Sequence, residues 1–508
     1  MEKRDICQLD AVRRLYIIKL SLGMKWQAKE ESAMKNIRIR MIAILAIYNF
    51  IFLGAEYWFD NMMAYSTDAY GVVLAQSYIL GASAIGFFLF PLFRRKMQTS
   101  AGYIGCLVTI TTVIICLFVI SQHISHVATM VSGCMAFLLL GIAGSAVHYL
   151  VACTFARDDR LARTAGAAYA AGLLLQFINN NFVSDETIEP VILSVFLVAG
   201  GMLLMGLGQN SFSVQPREEQ SEGRILIGRP GAAGGILLVN VVLMTCIFAT
   251  LDNAVTLVHA SGHADIGQWP RLLLALSGLA AGVLFDWKNR RFMNILMYCV
   301  TLLSTICVVI IELGGPFLAG LIVFYLSAGF FVVFFTTSFI ELSVHMKTPE
   351  LWAGLGRTTN NLCAVLTSAG SLALLRSGNG MLISVVALVF FALISVTSFL
   401  YSGRFAEKRD EIPKKGQTGD VGQEEDGEKF DSFCERFSLT KREQEVLSLL
   451  LQSDGSAQEL ADTLFISRAA LYRHMASLNE KTKTKSRNRS DSVLLCMEEY
   501  KLVNLRQM

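Results

Sequence analysis

The sequence predicts an all-α protein in two parts: a polytopic membrane helix bundle of twelve spans, arranged six plus six, then a small soluble four-helix domain. Three observations predict it. First, the 508 residues are 53% hydrophobic and only 17% charged, where an ordinary soluble domain has roughly 25% charged residues. That deficit excludes a single soluble globular protein. Second, twelve apolar stretches are long enough to cross a bilayer. Third, the composition turns sharply polar after Ser402.

A bilayer core of about 30 Å takes roughly 20 apolar residues per helix. The stretches lie near 38–58, 69–91, 101–120, 127–153, 165–183, 190–208, 234–258, 268–285, 292–311, 316–340, 351–375 and 379–402. Spans 5 and 11 are the least apolar. Alternate connections carry the basic residues: Arg94, Arg95 and Lys96; Arg157, Arg160 and Arg163; Arg217, Arg224 and Arg229; Lys288, Arg290 and Arg291; and Lys347. The other connections carry almost none, Arg376 excepted. By the positive-inside rule the basic loops are cytoplasmic. An even span count then leaves both termini in the cytoplasm. Ahead of the first span, residues 1–37 are a cytoplasmic tail. They read either as an interfacial helix with Ile6, Leu9, Val12 and Tyr16 on one side or as plain chain, and Met24 and Met34 are alternative starts. No cleavable signal peptide is visible. The eleven cysteines form no CxxC pair or Cys/His cluster and read as ordinary helix packing.

The longest inner connection, 209–233, separates a first six-span bundle (38–208) from a second (234–402). Such a division invites a search for a repeat. "GFFLFPLFRR" from Gly86 closes span 2, and "GVLFDWKNRR" from Gly282 closes span 8, at an offset of 196 residues. The same offset carries Glu56 of span 1 onto Asp252 of span 7. The second segment resembles the G-x-x-x-D-x-x-G-R-R loop of major facilitator transporters. Gly282, Asp286, Arg290 and Arg291 match, while Trp287 and Asn289 stand in place of arginine and glycine. The resemblance implies that Asp286 and the basic pair tie helices together at the cytoplasmic face. In the first copy Phe90 replaces the acid and Pro91 follows it, a departure that favours a sensor over a working transporter.

Polar side chains within spans are costly and are functional suspects by default. Arg357, Asn360 and Asn361 share one face of span 11 by their i, i+3, i+4 spacing. The resemblance places spans 1 and 7 around a central cavity, so Glu56 and Asp252 join them as candidate ligand-binding residues. Asp252 is the expected internal partner of Arg357. The ligand is a small molecule of unknown identity.

After span 12, residues 403–436 are charged and lack apolar periodicity, as a flexible linker does. The ends of its charged stretch Arg404–Lys429 stand roughly 25–30 Å apart on average. A punctuated helical domain follows over 437–502. "TKRE" at Thr440–Glu443 is a capping box before the helical stripe Val446, Leu447, Leu450 and Leu451. "SDG" at Ser453–Gly455 breaks the chain, and "SAQE" at Ser456–Glu459 opens a second helix. Ser467 caps a third, with Leu471, Met475 and Leu478 inward and Arg468, Tyr472 and Arg473 outward. Ser490 opens a fourth, with Val493, Leu494 and Met497 as its stripe. Helix, turn, basic exposed helix is the arrangement that enters a DNA major groove.

These residues also resemble the LuxR-type helix-turn-helix family. Leu439, Thr440, Arg442, Glu443, Glu445, Val446 and Leu447 match its first helix. Glu459, Leu460, Ala461, Leu464, Ile466 and Ser467 match its second, and His474 and Lys481 its third. Ala470, Leu471 and Tyr472 depart from the usual Thr, Val and Lys. Double-stranded promoter DNA is the expected partner, contacted by Ser467, Arg468, Ala469, Tyr472 and Arg473, with Lys481, Lys483, Lys485 and Arg487 trailing. His474 is expected to be structural. The resemblance also implies a homodimer on DNA through Val493, Leu494 and Met497, a bacterial inner-membrane location and RNA polymerase as a further candidate partner.

No P-loop, zinc motif or nucleophile-base set is visible, so neither an enzyme nor a cofactor is expected. A phosphoacceptor receiver domain is not visible either. Two readings remain. One is a membrane-tethered one-component regulator whose bilayer half senses a small molecule. The other is a facilitator-type transporter with a DNA-binding appendage.

Overall fold

The computed structural model describes residues 36–94, 99–156, 158–183, 187–211, 225–226, 229–261, 269–312, 316–377, 379–406, 434, 436–452, 461, 463–464 and 466–481. The chain divides into two compact units, Met1–Arg409 and Asp410–Met508.

The first unit is built from long apolar helices. They are α1 (Asn36–Ala64), α2 (Ala69–Phe93), α3 (Ser100–Ser121), α4 (His126–Phe155), α5 (Leu161–Phe182) and α6 (Glu189–Ser211). After the middle loop come α7 (Pro230–Ala260), α8 (Trp269–Phe285), α9 (Met293–Glu312) and α10 (Phe317–Ser343). The one-turn helix α11 (Pro349–Trp352), α12 (Leu355–Arg376) and α13 (Gly380–Ser402) complete the unit. Among the described residues, ten of these helices are long and apolar enough to cross a membrane. The shorter α8, at 17 residues, and the polar α12 fall outside that set. α8 is apolar but short of the length required, while α12 is long enough but carries the polar residues Arg357, Asn360 and Asn361.

The all-helical expectation needs one small amendment. A strand pair, β1 (Ile225–Leu226) and β2 (Phe405–Ala406), runs antiparallel with Ile225 opposite Ala406. Phe405 and Ala406 were expected to begin a free linker. Instead their backbone pairs with the middle loop.

Packing follows a pattern that repeats between the halves. α2 packs on α4 as α8 packs on α10, and α3 on α4 as α9 on α10. Across the halves, α5 lies on α8 and α2 on α12. Two apolar cores result. One gathers Phe50, Phe52, Trp58, Phe87, Phe137 and Phe155 from the first half. The other gathers Phe248, Phe285, Phe334, Phe335 and Phe339 with one face of α5. The α5–α8 seam depends on glycine. A Cβ on Gly166 would stand 2.5 Å from the Gly278 carbonyl oxygen, and one on Gly282 2.7 Å from that of Ala162. Small residues let backbones approach this closely in membranes, where van der Waals packing drives helix association.

The second unit is small. Cys434, Leu439, Val446, Leu447, Ala461, Leu471 and Leu478 form its core, with Phe437, Leu464, Ile466 and Met475 packed against them. Helix Lys441–Gln452 contributes Val446 and Leu447, and helix Arg468–Lys481 contributes Leu471, Met475 and Leu478. The SAQE segment, the expected fourth helix with Val493, Leu494 and Met497, and the basic run Lys483, Lys485 and Arg487 lie outside the described residues.

Candidate functional site

A cavity of about 140 Å³ lies between the two halves of the first unit. α1 contributes Phe52, Glu56, Tyr57 and Asp60, α2 Gln76, and α5 Tyr169. α7 contributes Asp252, α8 Arg271, and α12 Arg357, Asn360 and Asn361. All five sequence candidates therefore line one space. Sequence reading missed Asp60, Gln76 and Arg271. Asp60 stands one helical turn from Glu56, a spacing that places both on one face. Arg271 is the third residue of α8, a position where interfacial cations are common. Gln76 carried no signal, being neutral inside an apolar run.

The polar groups form a graded array. Glu56 Oε1 accepts from Gln76 Nε2 at 3.0 Å. The Arg271 guanidinium lies within electrostatic reach of Glu56, Asp60 and Asp252. Arg357 reaches Glu56 but is not among the charges acting on Asp252. The expected Arg357–Asp252 pair is thus corrected: Arg271 is the cation facing Asp252. Arg357 is instead held between the rings of Phe52 and Phe335, each centroid 5.6 Å from its guanidinium carbon. Its Nη2 donates to Asn49 Oδ1 at 3.5 Å. Stacking on ring faces offsets part of the cost of burying this cation. Asn361 Nδ2 donates to Ser83 Oγ at 2.8 Å, and Asn360 Nδ2 to Asn361 Oδ1 at 3.3 Å. Three buried atoms of the array have no hydrogen-bond partner: Arg357 Nε, Arg271 Nε and Asp60 Oδ1.

A second charged cluster closes the end of α8. Asp286 accepts from the backbone N–H groups of Ala162 at 3.0 Å and Arg163 at 2.7 Å, so it caps the start of α5 across the half-to-half seam. Arg290 donates to the Asp158 carbonyl at 2.9 Å and to Glu341 at 3.1 Å, and lies 3.5 Å from Asp286. The loop turns through three left-handed residues, Lys288, Asn289 and Arg290, with φ of 47°, 52° and 62°. Asparagine tolerates this region better than most residues. In the first copy, Arg94 pairs with Glu350 of α11 at 3.3 Å.

In the second unit the first capping box forms as expected. The backbone N–H and hydroxyl of Thr440 both donate to Glu443 Oε2, at 2.7 and 2.8 Å. Glu443 does more than cap. Ser477 Oγ donates to its Oε1 at 2.6 Å and Lys481 Nζ to its Oε2 at 2.7 Å. Lys481 also donates to the Ser438 carbonyl at 3.0 Å. Lys481, expected on the DNA side, is therefore spent inside the domain, locking the last turn of its helix to the first helix. Ser467 Oγ accepts from the Ala470 N–H at 3.2 Å, the N-cap of the basic helix. Ser467, Arg468, Ala469, Tyr472 and Arg473 are exposed, and Leu471 and Leu478 are buried.

Burial pushes the Glu443 carboxyl up, but hydrogen bonds from Lys481, Ser477 and Thr440 outweigh it and hold the group down to about 2 from an ordinary 4.5. A folded-state value below the unfolded one adds stability above the unfolded value and loses it as pH falls toward the folded one. In a fragment spanning 410–508, Glu443→Gln is expected to cost about 1–3 kcal/mol at neutral pH. Each kcal/mol moves the Tm of a domain this small by roughly 4–8 °C. The gap from the parent should close between pH 4.5 and about 2. Thermal melts across that window check it, and a variant as stable as the parent at pH 7 contradicts the assignment.

Comparison with known proteins adds the following. The HTH_11 family, described as an HTH domain, matches residues 442–485. Among curated proteins none matches the chain. Two solved structures are similar to it at 14% identity. The human organic anion transporter MFSD10 (TETRAN) has a TM-score of 0.49, covering 72% of this chain and 99% of that one. An auto-inhibited POT family peptide transporter has a TM-score of 0.47, covering 75% and 99%. The chain joins a multi-pass membrane helix bundle to a helix-turn-helix DNA-binding domain.

Proposed function

We propose that the protein is a membrane-tethered one-component transcriptional regulator. A small molecule enters the central cavity of the membrane unit, shifts its packing and alters how the helix-turn-helix domain occupies promoter DNA. The observation that carries this reading is the cavity itself: five ionisable side chains, Glu56, Asp60, Asp252, Arg271 and Arg357, line one space in the membrane unit of a chain that also bears an HTH domain. Intramembrane charge is expensive and is retained where it serves a pathway, a relay or a ligand. A ligand that exchanges contacts with such groups gains differential affinity for two packings, which any switch requires. The finer reading has twelve spans, with α8 and α12 crossing beside the ten apolar helices, and both termini in the cytoplasm of a bacterial inner membrane. It also has a LuxR-type domain that binds as a homodimer, with RNA polymerase as a further partner. The basic loops and the matched first, second and third helix residues support it.

The test uses the full chain and a reporter placed behind the chain's own upstream DNA. Arg357→Gln is expected to reach the membrane at parental level, to leave the fragment 410–508 able to shift that DNA, and to abolish induction. Normal membrane levels with a parental induction ratio would remove Arg357 from sensing. Failure of the folded fragment to bind DNA at low salt, where phosphate contacts are strongest, would sink the regulator itself.

A further inference from the structure

The central cavity has two unlike ends, and each has unspent chemistry. At one end stand Asp60, Asp252 and Arg271, two carboxylates facing a single guanidinium. Asp252 is exposed to the cavity and makes no hydrogen bond or ion pair among the described residues. Asp60 is 5% exposed, yet its Oδ1 has no hydrogen-bond partner. The negative groups at this end outnumber the positive, so it attracts a cation.

At the other end is Arg357, which is 6% exposed. The bond to Asn49, at 3.5 Å, is the one hydrogen bond its guanidinium makes among the described residues. A guanidinium carries five N–H donors, and here Nε is buried without an acceptor. This end calls for an acceptor, best a planar carboxylate. Glu56 lies between, within reach of both arginines, and is already engaged by Gln76. The cavity is also lined by the apolar side chains of Phe52, Phe248, Phe324, Phe331 and Leu274.

We propose that the cavity binds a small zwitterion with an apolar body, its ammonium on Asp252 and Asp60 and its carboxylate on Arg357. A simple anion meets three carboxylates and leaves Asp60 and Asp252 unsatisfied. A simple amine leaves the Arg357 donors without acceptors. A zwitterion satisfies both ends and adds no net charge to a low-dielectric site, where unpaired charge is costly. The cavity volume of about 140 Å³ is well below the ~300 Å³ at which drug-sized sites begin, so the ligand is of the size of one amino acid. This inference rests on the sensing role of the cavity for its biological meaning, while the binding itself is measured separately.

The experiment titrates the full chain in lipid nanodiscs by calorimetry with matched probes. Phenylalanine and leucine are compared with the amines lacking their carboxylates, phenethylamine and isopentylamine. They are also compared with the acids lacking their amines, 3-phenylpropanoate and 4-methylpentanoate. At least one amino acid is expected to bind tenfold or more tightly than both its one-charge counterparts. Arg357→Gln should erase the advantage over the amine, and Asp252→Asn the advantage over the acid. Equal or tighter binding of an amine or acid overturns the proposal, as does no binding by either amino acid. The reporter then separates the two readings. An amino acid that binds without changing promoter output leaves this inference standing and removes sensing. A one-charge inducer whose effect needs Arg357 does the reverse.

Discussion

Asp286→Ala is expected to destabilise the membrane unit by about 2–6 kcal/mol, because two backbone donors would lose a charged acceptor and each such loss costs about 1–3 kcal/mol. The donors are the N–H groups of Ala162 and Arg163, in the first turn of α5. A helix start has unsatisfied N–H groups and a partial positive charge, so a carboxylate from α8's end is a cap delivered across the seam. Burial raises the Asp286 carboxyl, and the N–H donors and Arg290 lower it, the net shift being upward. Arg290 would not be stranded, since Glu341 and the Asp158 carbonyl still hold it. The loss therefore falls on α5, whose partner across the seam is α8. Asp286→Asn keeps one carbonyl acceptor and should recover part of the loss. Thermal unfolding of the purified full chain in nanodiscs reads this order: parent, then Asn, then Ala. An Ala variant that melts with the parent would show that the cap carries no stability.

Much of this architecture was legible because membranes impose simple rules. A run of apolar residues with basic flanks has few alternatives, and ten of the twelve stretches read from the sequence coincide with described helices long and apolar enough to cross a membrane. The cavity was legible through cost: Glu56, Asp252 and Arg357 stood out because nothing apolar explains them. Pairings were not legible. Asp252 and Arg357 belong to the same half, and sequence distance says nothing about which cation faces which acid in a folded bundle. Arg271 escaped notice because a cation in the first turn of a span reads as an interfacial anchor. The bonds that hold Lys481 within the domain were not legible for a related reason. Lys481 falls in a basic run, and only the fold brings Glu443, 38 residues earlier, against it. Local signals such as the Thr440–Glu443 capping box and the Ser467 N-cap survive translation into structure because both partners lie within one turn.

Replacing Arg468 by alanine is expected to weaken promoter binding by about 1–3 kcal/mol and to relax preference at a single base pair, the loss expected for a bidentate arginine–guanine contact. The assignment follows from position. Arg468 is the first residue of its helix, directly after the Ser467 N-cap, and the N-terminal residues of a recognition helix are those that reach base edges. It is exposed, and no described hydrogen bond or ion pair holds its guanidinium. Arg473 lies further along, also exposed, with its Nε donating to the Ala469 carbonyl at 3.4 Å. That position suits the phosphate backbone. Arg473→Ala should therefore weaken all sequences alike and reduce the slope of log K against log salt by about 0.9, the release of one phosphate's counterion. Lys481→Ala should behave like neither, since its ammonium is held by Glu443 and Ser438; it should lower the melting temperature more than the salt slope. Titrations of fragment 410–508 on the upstream DNA and on single-base variants, each at several salt concentrations, distinguish the three. If Arg468→Ala and Arg473→Ala both bind with the parent's affinity, base preference and salt slope, this helix does not face DNA.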